Sequence, residues 1–283
     1  MWRKLGSILI TFLLLSVSVA CSEEESKERL AVTVHLIDNE ALNDELTNAE
    51  AKGSPIIPES LEEGKAVIGY DNRIVIANPY QYPYSAIAYI LAEGTCGCAW
   101  TGTGFMISNR WMMTAGHCMY CTQHYKPVKY ASFFFGYEDE RNYLLFQDAG
   151  CTIWVSESVQ EERDYHEDDY AFVRFDDPIG EYTGCFGYWY NAPDSIIESE
   201  AIYCVGYRDG VLKSDYDWVR VLNSKFLTHT IDMVAGNSGC PLFDKDYFVV
   251  AINTAEARDG TENYGVRLTD QMQKSMQREG FPD

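Results

Sequence analysis

Thr-Ala-Gly-His-Cys at residues 114–118 comes directly after the apolar run Trp-Met-Met at 111–113. An apolar run that ends in small residues predicts a strand leading into a tight turn. Such a turn would present the imidazole of His117 beside the thiol of Cys118. A lone histidine in a turn is more often structural than functional, so this stretch becomes informative only when it is joined to two others.

The second stretch is Asp-Tyr-Ala-Phe-Val-Arg-Phe at 169–175, in which Asp169 stands at the head of a largely apolar strand. An aspartate at this point can also be a simple strand cap. Asp164 and Asp168 lie close by in the sequence, but Asp169 directly precedes the strand. We predict Asp169 as the functional carboxylate, with Asp168 as the alternative.

The third stretch is Gly-Asn-Ser-Gly-Cys-Pro-Leu at 236–242, which sets Ser238 between glycines just before another apolar run. Histidine, aspartate and serine in this order, each in a matching local context, are typical of a catalytic triad. A serine hydroxyl is a weak nucleophile at neutral pH, so His117 would take its proton while Asp169 orients the imidazole. The backbone N–H groups of Gly236 and Ser238 would form the oxyanion hole.

The sequence pattern after Ala66 predicts many short strands, because runs of residues with high β-propensity alternate with Gly, Asn, Asp and Pro. Near the end, Met272 and Met276 share one face and Gly280 follows, which predicts a helix over 269–279. With the triad order, these features resemble the chymotrypsin-like serine proteases. The resemblance implies an all-β fold, a double six-stranded β-barrel with a short C-terminal helix. The runs with strand character are 104–107, 130–137, 170–175, 201–207 and 247–253.

Within that class, residues 66–283 resemble the bacterial glutamyl endopeptidases. The resemblance implies a secreted serine endopeptidase with a trypsin-like domain over 66–283, acting on protein or peptide substrates. It also implies a pro-segment that ends near Lys65. We expect no cofactor and no metal ion. The stretches that carry the resemblance are 66–73, 82–87, 101–107, 178–180, 184–188 and 231–232.

The resemblance places the substrate-binding candidates on either side of the serine. Glutamyl endopeptidases use a histidine on the strand after the serine to bind the glutamate carboxylate, and Asn253 stands at the matching position here. Asparagine carries no positive charge, and burying an unpaired carboxylate is costly, so the resemblance does not by itself fix a glutamate preference, and an acidic or amide preference stays open. Asp232 coincides by counting with the pocket-base aspartate of trypsin, which leaves a basic preference open. The full set of candidates is Asp232, Met233, Asn253 and Thr254.

Two further expectations concern residues near the site. Asn237 precedes the nucleophile, where vertebrate digestive proteases carry an aspartate that pairs with the new amino terminus. A neutral side chain cannot form that ion pair.

The remaining histidines lack a catalytic context and are predicted to be surface or loop residues. They are His35, His124, His166 and His229. His229 is also a minor candidate for substrate contact.

The chain has nine cysteines, an odd number for an exported protein that pairs its thiols. Setting Cys21 aside leaves eight disulfide candidates. The resemblance implies that Cys118 pairs with Cys98 or Cys96 and that Cys121 takes the other. Four of the eight also fit a tetrahedral zinc site, which an oxidising compartment disfavours. The eight disulfide candidates are Cys96, Cys98, Cys118, Cys121, Cys151, Cys185, Cys204 and Cys240. The remaining predicted pairs are Cys151–Cys185 and Cys204–Cys240. The four cysteines that also fit a zinc site are Cys96, Cys98, Cys118 and Cys121.

The N-terminus predicts export. Arg3 and Lys4 precede an apolar run over 8–15 and small residues follow, so residues 1–21 resemble a signal peptide. Ser-Val-Ala-Cys at 18–21 resembles a bacterial lipoprotein cleavage site, which makes Cys21 a candidate for lipidation; ordinary signal cleavage is the alternative. Residues 22–65 are acidic and predict a pro-segment or linker. We therefore expect a secreted or envelope-anchored monomer whose membrane contact is limited to a lipid on Cys21.

Charge and the complete set of motifs limit the function classes. The chain has 43 acidic and 22 basic residues, a net charge of -21, so nucleic acid is not an expected partner. The alternative function is a catalytically inactive, protease-like binding protein at the cell surface. The complete triad and Gly236 argue against it, because inactive relatives usually lose one of these groups.

Overall fold

The structure is a computed structural model, and it describes residues 67–68, 70–148, 150–160, 165–257 and 260–281. Several predicted features lie outside the described residues: the signal peptide over 1–21, Cys21, the acidic segment over 22–65 and the processing point near Lys65. In the described part of the chain, no helix has the length and apolar character needed to span a bilayer.

The first half of the chain forms one antiparallel sheet, whose strands alternate with tight turns as the sequence predicts. The strands are β2 (Ile87–Gly94), β3 (Ala99–Met106), β4 (Trp111–Thr114), β5 (Tyr120–Cys121), β6 (Lys126–Phe135), β7 (Leu145–Gln147), β8 (Cys151–Val155) and β9 (Ala171–Phe175). Their order is β5-β6-β2-β3-β4-β9-β8, with β7 also paired to β6. β4 and β9 are neighbours, with Thr114 opposite Ala171.

The second half forms the other sheet. The strands are β1 (Ile74–Val75), β10 (Gly187–Tyr188), β11 (Ile202–Arg208), β12 (Val211–Asp217), β13 (Val219–Val221), β14 (Phe226–His229), β15 (Pro241–Phe243), β16 (Phe248–Glu256) and β17 (Asn263–Arg267). Their order is β1-β12-β11-β15-β16-β17-β14-β13, with β10 pairing parallel to β16. The two-residue strand β1 lies in the first described stretch, residues 67–68 and 70–76, called the N-terminal segment below, and its pairing with β12 fastens this segment to the sheet.

In the described residues, helices are few and short. The longest is α4 (Asp270–Arg278), which begins at the predicted place because the Thr269 hydroxyl accepts a hydrogen bond from the Met272 N–H at 3.4 Å. Its methionines, Met272 and Met276, are buried as expected. The other helices are α1 (Glu157–Gln160), α2 (Gly180–Thr183) and α3 (Asp194–Ile197), and single 3₁₀ turns cover Tyr84–Ala86, Gly116–Cys118 and Tyr165–Asp168.

Apolar side chains of both sheets form the core. Trp111 of β4 stacks on Trp154 of β8 with ring centroids 5.3 Å apart, and Phe281, just after α4, packs edge-on against Trp111. The sheets meet where Tyr207 of β11 lies 5.3 Å from the ring of Tyr89 on β2.

The predicted double β-barrel with a C-terminal helix is confirmed. In the described residues the two sheets contain eight and nine strands, because several short strands add to the barrels.

Candidate active site

His117 and Asp169 are brought together by the pairing of β4 with β9. The 3₁₀ turn that contains His117 follows the end of β4, and Asp169 precedes the start of β9, so antiparallel pairing sets the two side by side. His117 Nδ1 lies 2.6 Å from Asp169 Oδ2, and the backbone N–H of His117 donates to Asp169 Oδ1 at 2.9 Å. Both carboxylate oxygens are therefore committed to the histidine.

The electrostatics of this pair favour the charged imidazolium. Burial by itself would lower the pKa of His117, but the negative charge of Asp169 and the hydrogen bond between them raise this pKa well above its ordinary value. The carboxylate of Asp169 is almost fully buried, so water screens it little. The arrangement can therefore stabilise a proton on His117 at the moment it is received.

The alternative carboxylate, Asp168, points elsewhere. Its two oxygens lie 2.9 and 3.1 Å from the ammonium nitrogen of Lys225, in a half-buried ion pair. The structure therefore favours Asp169 over Asp168. The third nearby acid, Asp164, lies outside the described residues.

Ser238 lies on the loop before β15, and Thr103 of β3 holds this loop in place. The Thr103 N–H donates to the Ser238 carbonyl at 2.8 Å, and the Thr103 hydroxyl donates to the Gly236 carbonyl at 2.8 Å. Thr103 is fully buried, and its own carbonyl accepts a hydrogen bond from the Thr114 hydroxyl at 2.7 Å. A continuous chain of hydrogen bonds thus runs from the strand that leads to His117 to the serine loop.

The sequence did not single out Thr103, because a threonine in a strand has no distinctive motif. Its role follows only from the way the two sheets face each other. Ser238 itself remains partly exposed at this junction.

Gly236 has a backbone conformation that strongly favours glycine. Its φ is +96°, a region that residues with a side chain rarely adopt, and a Cβ built there would lie 2.9 Å from the Tyr207 carbonyl oxygen. The loop around Ser238 therefore depends on glycine at this position.

The Asn253 side chain is buried and has two hydrogen-bond partners. Its side-chain oxygen lies 3.2 Å from His229 Nε2, and its side-chain nitrogen lies 3.5 Å from the Asn237 carbonyl. The expectation that His229 is a surface or loop residue is wrong: it ends β14 and is buried. Burial lowers the pKa of His229 to about 4, so it is neutral at physiological pH. It can donate to Asn253 but brings no charge to the pocket.

Asp232 is committed to the N-terminal segment. Its carboxylate accepts hydrogen bonds from the backbone N–H groups of Ile68 at 2.8 Å and Asn72 at 3.1 Å, and the residue is buried. Counting from the serine suggested that Asp232 lies at the base of the pocket and binds a cationic side chain. That prediction is wrong, because both carboxylate oxygens already accept hydrogen bonds from the N-terminal segment.

The other two substrate-binding candidates are also buried. Met233 lies with its sulfur 3.9 Å from the Cys204 sulfur, among buried apolar side chains of the second sheet that include Leu227 and Leu242. The hydroxyl of Thr254 is buried and, among the described residues, has no hydrogen-bond partner. Among the four candidates, as far as the described residues show, only Thr254 has a side-chain polar atom with no hydrogen-bond partner.

The eight cysteines after Cys21 are free thiols in the structure. The predicted pairing of Cys118 with Cys96 or Cys98 is wrong, because the Cys118 thiol points inward and donates to the Ser238 carbonyl at 3.3 Å. Cys204 and Cys240 are neighbours as predicted, with sulfurs 2.9 Å apart in the core, and a disulfide there stays a prediction. So does the Cys151–Cys185 pair.

Comparisons with known proteins agree with this geometry. A glutamyl endopeptidase of Bacillus licheniformis is 28% identical over 217 residues, which cover 72% of this chain. The match spans 62% of that relative's length. A Bacillus subtilis protein named extracellular metalloprotease is 25% identical over 231 residues, covering 75% of this chain and 69% of the relative.

A solved structure of a Glu endopeptidase in complex with MPD superposes with a TM-score of 0.64 at 24% identity, covering 75% of this chain and 98% of the other. This likeness shows the fold. The model of the trypsin-like peptidase domain matches residues 102–252, more than half of the chain, and that range includes His117, Asp169 and Ser238. The chain therefore belongs to the trypsin-like peptidase domain family, whose members include serine endopeptidases.

Proposed function

We propose that the protein is an exported serine endopeptidase that hydrolyses peptide bonds through an acyl-enzyme intermediate, with His117, Asp169 and Ser238 as its triad. The observation that carries the proposal is the partly buried 2.6 Å contact between His117 Nδ1 and Asp169 Oδ2, next to a serine loop that Thr103 of β3 holds in place.

The reaction follows from these positions. His117 takes the hydroxyl proton of Ser238 as the oxygen attacks the substrate carbonyl, and Asp169 stabilises the imidazolium that forms. His117 then returns this proton to the leaving amine, and a water molecule repeats the sequence on the acyl-enzyme. The N–H groups of Gly236 and Ser238 would stabilise the oxyanion, each donor contributing roughly 3 kcal/mol to the transition state.

For the side chain before the cleaved bond, the P1 residue, we propose a neutral polar preference such as glutamine. Asp232 has both oxygens engaged, which disfavours lysine and arginine. His229 is neutral behind Asn253, so a glutamate carboxylate would enter without a charged partner. An amide side chain needs only hydrogen bonds, for which the Thr254 hydroxyl is unpaired within the described part of the chain and the Asn253 amide nitrogen keeps a second N–H beside the one directed to Asn237.

Export is proposed on two grounds. Residues 1–21 resemble a signal peptide, and the Bacillus subtilis relative bears the name extracellular. Whether a lipid on Cys21 anchors the protein depends on removal of residues 22–65, because cleavage near Lys65 would release the domain.

Covalent labelling tests the triad. The full chain, purified from an exporting bacterial host, is treated with a fluorophosphonate probe, and the labelled peptide is identified by mass spectrometry. We expect label on Ser238, none in Ser238→Ala, and full labelling in Ser199→Ala, a control at an exposed serine. Labelling that survives Ser238→Ala would overturn the site assignment.

Digestion of a diverse peptide mixture by the same preparations tests the activity and the P1 proposal. Cuts that depend on Ser238 and follow glutamine would support both. Cuts that follow glutamate or lysine would support the endopeptidase and reject the specificity. A folded, processed protein that cuts nothing would support the inactive binding protein instead.

A further inference from the structure

Three thiols and one imidazole meet at the surface of the first sheet. The ligand atoms of Cys96, Cys98, Cys121 and His124 all lie within 4.8 Å of one another. His124 Nδ1 is 3.3 Å from the Cys98 sulfur and 3.6 Å from the Cys121 sulfur. We propose that these four residues form a structural zinc site, a property separate from the triad and independent of the proposed function.

The distances match a tetrahedral ion. With Zn–S bonds of about 2.3 Å and Zn–N bonds of about 2.0 Å, tetrahedral geometry places sulfur and nitrogen ligands about 3.5 Å apart. The two measured sulfur–nitrogen distances lie on either side of that value. Thiolate and imidazole ligands also select zinc over calcium or magnesium, which prefer oxygen.

The backbone already holds both ligand pairs in place. Cys96 and Cys98 form the turn between β2 and β3, where the Gly94 N–H donates to the Cys98 carbonyl at 2.8 Å. Cys121 ends β5, and His124 lies in the turn that leads into β6. The two turns are joined by the Thr95 N–H, which donates to the Pro127 carbonyl at 3.1 Å.

A disulfide would satisfy this group less well than a metal ion. Three sulfurs are an odd number, so one bond between Cys121 and either partner leaves a thiol and the imidazole of His124 unused. The fourth cysteine that the sequence offered, Cys118, is buried and directed to the Ser238 carbonyl. The histidine replaces Cys118 as the fourth ligand, which gives a Cys₃His set of the kind found in structural zinc sites.

Four protein ligands fill the tetrahedron and leave no position for water or substrate, so the ion would brace the fold and take no part in catalysis. The segment it would brace begins directly after His117. Trp100, two residues after Cys98, donates from its indole N–H to the Cys118 carbonyl at 2.9 Å. The zinc would therefore tie the turn that carries His117 to the β2–β3 hairpin.

Metal analysis of the full chain tests the proposal. The protein is purified from the exporting host without chelator or added reductant, and zinc is measured by mass spectrometry with the mass of the intact chain. We expect about one zinc per chain, which is lost in Cys121→Ser and in His124→Ala but kept in Cys151→Ser. His124 is exposed, so its replacement leaves a folded protein even where Cys121→Ser does not.

Two further readouts complete the test. The cobalt-substituted protein should show sulfur-to-cobalt charge-transfer absorption that His124→Ala alters and Cys151→Ser does not. Removal of zinc by a chelator should lower the midpoint of thermal unfolding. The proposal is overturned if the isolated chain holds no zinc and Cys121 is found in a disulfide, or if the zinc content is the same in all variants.

Discussion

Arg73 Nη1 donates to Asn237 Oδ1 at 3.1 Å, so the N-terminal segment contacts the residue that precedes Ser238. The Arg73 side chain is only 6% exposed and also binds Asp71 at 2.8 Å. The hydrogen bonds from Arg73 hold the pKa of the Asp71 carboxyl well below its usual range. Asn237 Oδ1 accepts a second hydrogen bond, from the Val234 N–H at 3.0 Å. The charged side chain of Arg73 thus supports the serine loop through Asn237. In the vertebrate digestive proteases, the new amino terminus has this place and pairs with an aspartate before the serine.

We predict that Arg73→Met slows labelling of Ser238 by about tenfold or more, because a hydrogen bond from a charged group to a buried acceptor is worth about 1.5–3 kcal/mol. The measurement is the rate of fluorophosphonate labelling at saturating probe. Arg220→Met is the matched control, since Arg220 pairs with Glu262 at an exposed surface. Equal rates in the two variants would show that Arg73 does not support the loop.

The raised pKa of His117 predicts the pH profile. The neutral imidazole is the active base, so activity should rise as pH increases through this pKa, and the acid limb should lie above pH 6.5. In Asp169→Asn the charge that raises the pKa is gone. The limb should then move to lower pH while turnover falls by about 10⁴. Initial rates from pH 5 to 9 with the preferred peptide measure both effects.

Asp168→Asn is the control for this prediction. It removes a half-buried ion pair with Lys225, which is worth about 1 kcal/mol or less. We expect the acid limb to stay in place and turnover to change little. A shift of the limb in Asp168→Asn, with none in Asp169→Asn, would reverse the assignment of the carboxylate.

Local patterns predicted the fold because each element is recorded in a short stretch, and the structure places two of the three triad candidates, His117 and Asp169, in contact. The runs around 104–107 and 171–175 are strands, and Thr269 caps the terminal helix. The partners that depend on contacts between distant segments were missed or misassigned. Asp232 binds Ile68, and Asn253 meets His229, through separations that no local pattern records. Cys121 and His124 form a Cys-x-x-His spacing that could have indicated the metal site.

The lowered pKa of His229 predicts a loss of stability in acid. Below about pH 6.5 the unfolded chain takes up a proton on this histidine, whereas the folded chain does so only near pH 4. Folding is therefore weakened progressively over that interval, by up to about 3 kcal/mol. In a Ser238→Ala background, which prevents self-digestion, urea unfolding should show a shallower decline between pH 6.5 and 4 for His229→Gln. Parallel curves would exclude His229 as the cause.

Gly239→Ala should abolish labelling of Ser238. The φ of Gly239 is +86°, and a Cβ there would lie 2.1 Å from the Thr103 carbonyl oxygen and 2.2 Å from the Thr114 hydroxyl. Neither backbone nor buried hydroxyl can move without breaking the hydrogen bonds that hold the serine loop. Gly280→Ala is the matched control, because its φ is +99° but no atom lies within 4 Å of the added carbon. That variant should lose only about 1–2 kcal/mol of stability from backbone strain and keep full labelling. Equal labelling in the two variants would show that neither the steric contact nor the backbone strain at Gly239 disturbs the serine loop.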